Sequence, residues 1–155
     1  MSEINLLVNG QKLSVDTDLD TPLIYVLRND FEFKGAKLGC ALEQCGACIV
    51  LVDGEPTNSC VRAAAEFEGM QIETVESFGN PDKMSEVQQV FAEENVAQCG
   101  YCIAGIVCSV TALFRKTRQP SDQQIKDTLN RHLCRCGSHS RILEAVYRIR
   151  AGVAG

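Results

Sequence analysis

Nine cysteines stand in a chain of 155 residues that has two histidines and no tryptophan, and eight of the nine fall into two tight groups. The first group is Cys40, Cys45, Cys48 and Cys60, within GCALEQCGACIVLVDGEPTNSC. The second is Cys99, Cys102, Cys134 and Cys136, within QCGYC and LCRCG. One or two cysteines often pack as small inert side chains; eight in two groups do not fit that use. No Lys/Arg-headed apolar segment opens the chain, so export by a cleaved signal is not expected. Thiols at this density then read as metal ligands rather than disulfides.

The spacing in the first group is C-x4-C-x2-C, with the fourth thiol after eleven intervening residues. The x4, x2 loop is the plant-type [2Fe–2S] arrangement. Three thiolates from one loop carry net negative charge onto one cluster, which calls for backbone N–H groups aimed at sulfur. Gly39 and Gly46 permit the backbone to come that close. A four-thiolate zinc knot is the competing use, but it normally shows two CxxC knuckles. In the second group a CxxC lies at the start of one helix and a CxC in the turn before another. Free N–H groups and the positive dipole end of a helix favour an anionic cluster there. Cys108, in the apolar helix after Cys102, reads as a buried packing thiol. His132 and His139 could be imagined as Rieske-type ligands, but each group already has four thiols, so they read as helix-end or interface residues. Arg135, between two thiols, either tunes the second group or faces solvent.

The periodicity divides the chain into residues 1–77 and 78–155. Ile4–Val8 and Lys12–Val15 read as strands around an Asn9-Gly10 hairpin turn. Thr21 and Pro22 read as the cap and first residue of a short helix carrying Leu23, Val26 and Leu27. Ile49–Val52 is a buried strand ended by a turn over Asp53–Pro56, and another strand is expected over Gln71–Val75. Behind a linker at Ser77–Asp82 the apolar period lengthens to that of a helix, with Met84, Val87, Val90 and Phe91 on one face. Ile103 to Phe114 form a second helix, Ser121 caps a third with Ile125 and Leu129, and Ile142 to Ile149 mark a fourth. The expected fold is α+β: a small sheet domain followed by a small helical bundle. Each half is marginal on hydrophobic burial alone, and each contains one cysteine group that could staple it. A net charge of −5 argues against a nucleic-acid or anionic-membrane surface. No apolar stretch approaches the roughly 20 residues of a membrane span.

The two cysteine motifs, in this order, resemble the [2Fe–2S] small subunits of the molybdenum hydroxylases, the xanthine dehydrogenase and aldehyde oxidoreductase family. The resemblance runs from VNG near the start to LCRCGSHSRILEAV near the end. It implies a β-grasp ferredoxin-like domain and a four-helix bundle, two [2Fe–2S] clusters, and a large partner subunit that binds molybdopterin and performs the hydroxylation. It implies that Gln98 and Cys136 contact the pterin, with the Cys99/Cys102/Cys134/Cys136 cluster beside it and the Cys40/Cys45/Cys48/Cys60 cluster nearer the exit. The chain then carries electrons and has no catalytic residue of its own, working in the cytoplasm or held at a membrane by a partner. GCALEQCGACIV, QCGYCIAG and CRCGSHSRI are most similar to bacterial enzymes that oxidise N-heteroaromatic rings, of the isoquinoline and nicotinate type. Aldehyde, xanthine or carbon monoxide oxidation, or a free-standing ferredoxin-like carrier, are the alternatives. The acceptor would be a FAD subunit or a cytochrome. Two departures stand out: Ala41 and Glu43 occupy places where many family members have glycine, and Ile103-Ala104-Gly105 replaces a Thr-Pro-Gly helix start.

Overall fold

A computed structural model describes residues 1–152. Asn9 and Gly10 both adopt left-handed backbone, φ 52° and 77°, which gives the turn the twist of the strands it joins. The hairpin pairs β1 (Ser2–Val8) with β2 (Gln11–Thr17), from Ser2 opposite Thr17 to Val8 opposite Gln11. β3 (Ile49–Val52) and β4 (Glu55–Asn58) form a second antiparallel hairpin. β5 (Gln71–Glu73) inserts between the two hairpins, parallel to β1 and antiparallel to β3, so the sheet order is β2-β1-β5-β3-β4.

β3 decides how the layers stack, because all four of its residues are buried. Its alternating side chains serve two cores. Val50 and Val52 face one way, with Ile4, Leu6, Leu23, Leu27 and Phe67. Ile49 and Leu51 face the other, against Cys108 and Ala112. The first core is closed by α1 (Leu23–Tyr25), which runs on as a wider turn over Val26–Asp30. The second is closed by α3 (Ile103–Lys116), the central helix of the C-terminal half. The sheet is thus sandwiched between α1 and α3.

The bundle comprises α2 (Glu86–Glu93), α3, α4 (Asp122–Leu129) and α5 (His139–Ala151). Val87, Val90, Phe91, Ile106, Val107, Val110, Phe114, Ile125, Ile142, Val146 and Ile149 fill its centre. Burying each such side chain is worth about 1.5–3 kcal/mol. Ser121 caps α4 as its sequence indicates, its hydroxyl accepting from the Gln124 N–H. Ser85 caps α2 in the same way through Gln88.

Several local expectations need correction. Thr21 caps nothing: Pro22 is the N-cap of α1, and the Thr21 hydroxyl instead lies 2.9 Å from that of Thr17. Met84 precedes α2 and is exposed rather than sharing its apolar face. The expected strand to Val75 ends at Glu73, and Val75–Ser77 form a 3₁₀ turn. β4 begins within the expected turn; Pro56 disguises it, and its place at the sheet edge is where a strand tolerates proline.

Candidate metal centres

The chain from Gly39 to Ala47 forms neither helix nor strand and folds around sulfur. The N–H groups of Leu42, Gln44 and Cys45 point at Cys40 Sγ over 3.3, 3.3 and 3.4 Å, and that of Cys40 at Cys45 Sγ over 3.4 Å. These donors favour the thiolate: the Gln44 N–H above all brings Cys40 down to about 7. The wrap is made by left-handed backbone at Ala41 and Glu43, φ 53° and 57°. The glycine-like conformation therefore persists without glycine, at about 1–2 kcal/mol per residue. Ala41→Gly and Glu43→Gly are each expected to raise stability by about 0.5–1 kcal/mol in urea unfolding. Destabilisation in both would overturn the strain argument.

Cys48 enters β3 and Cys60 follows β4, so the β3–β4 hairpin brings the two together. Both are buried, and the Cys48 thiol donates to Asn58 Oδ1 over 3.9 Å. The Ser59 hydroxyl donates to the Cys48 carbonyl at 2.7 Å and locks the base of the hairpin. Burial pushes the Cys48 thiol up to about 12. An open, N–H-rich pair thus faces a dry pair across one loop.

The second group is built the same way. Cys102 is the N-cap of α3 and buried, while Cys99 is exposed on the preceding turn. Cys134 and Cys136 lie between α4 and α5. Cys102 and Cys134 stand close enough to act on each other's acidity, as do Cys99 and Cys136, and all four are free thiols. Burial raises Cys102 to about 12, whereas the Tyr101 N–H lowers Cys99. At Cys134 burial acts upward, but the Ser138 N–H, the Cys102 thiol and the Ser138 hydroxyl together bring it below the usual thiol range. Gln98 Nε2 donates to the Cys136 carbonyl at 3.2 Å and the Ser138 hydroxyl at 3.3 Å, tying the two halves of the group.

Among the described residues no three His, Cys, Asp or Glu side chains gather around one point as they would around a single ion. Each group brings four free thiols together from two stretches of chain, the number of sulfur donors that a two-iron core takes. With N–H donors aimed at sulfur, they fit a [2Fe–2S] group. A cleft of about 190 Å³ is lined by Cys40 and Cys45 from one group and Cys99, Cys102 and Cys134 from the other, with Arg135 at its side.

Cys108 belongs to neither group and packs against the sheet, its thiol raised to about 12 by burial. His139 is exposed at the start of α5. His132 is an interface residue, 4% exposed, its Nε2 2.8 Å from the Ser109 hydroxyl. Burial lowers it to about 4, so the ring is neutral. The joint around it is what the sequence reading missed. Gly105, Cys108, Ser109 and Ala112, spaced along one face of α3, were a legible sign of close helix–sheet approach.

Two family profiles match the chain: a 2Fe-2S iron-sulfur cluster binding domain over residues 6–75 and a [2Fe-2S] binding domain over 74–147. One component of the nicotinate dehydrogenase of Pseudomonas putida is 46% identical over 94% of this chain and 92% of its own length. The alpha component of isoquinoline 1-oxidoreductase from Brevundimonas diminuta is 36% identical over 94% of this chain and 95% of its own. In structure, a chain of quinoline 2-oxidoreductase from Pseudomonas putida 86 superposes with a TM-score of 0.88 at 29% identity, covering 97% of both chains.

Proposed function

The chain belongs to the [2Fe–2S] small subunits of the molybdenum hydroxylases, and on that premise we propose how its residues divide the work of electron transfer. Cys40, Cys45, Cys48 and Cys60, within residues 1–77, hold one [2Fe–2S] group; Cys99, Cys102, Cys134 and Cys136, within residues 78–155, hold the other. When bound, each group supplies reversible one-electron chemistry. Bond-making lies on a large molybdopterin-binding partner, as befits a chain that is itself non-catalytic. The observation that carries this reading is the single cleft lined by cysteines of both groups, which makes the two redox sites neighbours.

The chain's own groups set the conditions. Leu42, Gln44 and Cys45 stabilise anionic sulfur through their N–H groups at the first site, while Cys48 and Cys60 keep water from its inner side. At the second site Gln98 holds Cys136 in place, and both stand at the surface offered to the pterin. Tyr101 and Leu133, 48% and 64% exposed beside that site, supply apolar surface for the large subunit. Leu42 and Val61, exposed near the first site, suit contact with the onward acceptor, a FAD subunit or a cytochrome. The similarity to nicotinate and isoquinoline enzymes supports an N-heteroaromatic substrate. No helix among the described residues is long and apolar enough to cross a membrane. Eight reduced thiols suit a cytoplasmic complex.

Purification of the native complex tests this. The chain is expected to travel with molybdenum and with a larger subunit, to contain about four iron, and to give two distinct paramagnetic centres on full reduction. One centre, two zinc ions without iron, or substrate turnover by this chain alone would overturn it.

A further inference from the structure

Gly46, between Cys45 and Cys48, is the point at which the second thiol group touches the first. On one side lies Gly105, in the first turn of α3 and three residues after Cys102. A Cβ on Gly105 would overlap the Gly46 carbonyl oxygen, so the two backbones meet with no space between them. On the other side lies His132, two residues before Cys134. A Cβ on Gly46 would overlap His132 Nδ1 and come within 2.5 Å of the Arg131 carbonyl. Nδ1 is buried against this backbone with no hydrogen bond of regular geometry, while Nε2 is anchored to Ser109 on α3. Immediately beside the clasp, the Leu133 N–H donates to the Cys45 carbonyl at 3.0 Å and the Tyr101 hydroxyl to the Leu38 carbonyl at 2.6 Å.

We propose that this clasp fixes the spacing of the two clusters, which makes Gly105, Ser109 and His132 positioning residues for electron transfer within the chain. The proposal rests on the reading that each thiol group holds a cluster. Its logic is mechanical. Cys102 and Cys134 reach the second site from separate segments, and each segment is tied to the same residue of the first loop. Ser109 and His132 close the triangle by joining α3 to the segment before Cys134. Neither segment can then move relative to the first loop without breaking a buried contact, and a packed interior does not deform smoothly. Electron tunnelling falls steeply with distance, so a joint that holds distance holds rate.

The test is electron paramagnetic resonance of the fully reduced complex, in which magnetic interaction between neighbouring centres splits both signals and weakens with the cube of their separation. Ser109→Ala, His132→Leu and Gly105→Ala are expected to retain both signals but change or lose the splitting. His132→Gln, which can place an amide nitrogen where Nε2 stands, is expected to preserve it. An unchanged splitting in every variant that keeps both signals overturns the positioning role. A wild-type complex with a single signal would instead overturn the two-cluster reading beneath it.

Discussion

Cys102→Ala is expected to remove half the iron of the complex, from about four to about two per chain, and to delete one of its two paramagnetic signals. Reduction of the external acceptor should fall below detection, because electrons leaving the molybdopterin side have no second route through the chain. Cys48→Ala should do the same at the other site. Both thiols are buried, at the inner end of their groups, so no water or exposed side chain can take the vacated position. The informative comparison is Cys108→Ala. That thiol is equally buried and equally raised by burial to about 12, yet it faces Ile49, Leu51 and Ala112 rather than other sulfurs. It should keep all the iron and both signals and lose only about 1 kcal/mol of packing. Iron assay and spectroscopy on the three purified complexes decide the matter. Iron loss in Cys108→Ala, or full iron in Cys102→Ala, would sink the division between ligating and packing thiols.

What the sequence made legible follows from which forces act locally. The Asn9-Gly10 hairpin and the Ser121 cap each depend on residues close in the chain, and each is found where the residues indicate. The four-residue apolar run of β3 announced a strand covered on both faces, but not what covered it. Met84 keeps the helical period yet lies outside the capping box of Ser85, and the cap overrules the period. Gln98 shows the same limit from the other side. A polar loop residue next to a cysteine gives no sign of its partners, and these lie 38 and 40 residues onward, at Cys136 and Ser138. His132, expected at a helix end or an interface, lies at an interface, but its burial at the joint depends on Gly46 and Ser109, which only the folded chain brings to it. Contacts between the two halves are the least legible part, because no periodicity within either half encodes its orientation on the other.

That orientation is where a small change should have a large effect on stability. Gly105→Val is expected to destabilise the iron-loaded chain by about 3 kcal/mol or more. Three terms act together. The new Cβ meets a backbone carbonyl, at Gly46, which cannot rotate aside as a flexible side chain could. Retreat of α3 to make room would separate Cys108 and Ala112 from Ile49 and Leu51, opening the second core of the sheet. It would also stretch the pairs of Arg115 with Glu73 and Lys116 with Glu55, at 2.8 and 2.7 Å, although exposed pairs of this kind add little by themselves. The neighbouring Ala104→Val supplies the control, since that residue lies on the other side of α3, lining a groove with Phe91 and Val96. Valine there should cost under about 1 kcal/mol, mainly through helix propensity. Urea unfolding of both variants separates the two positions. Equal costs would mean that the two halves touch too loosely for a side chain at residue 105 to matter, and the joint between the cysteine groups would have to be sought elsewhere.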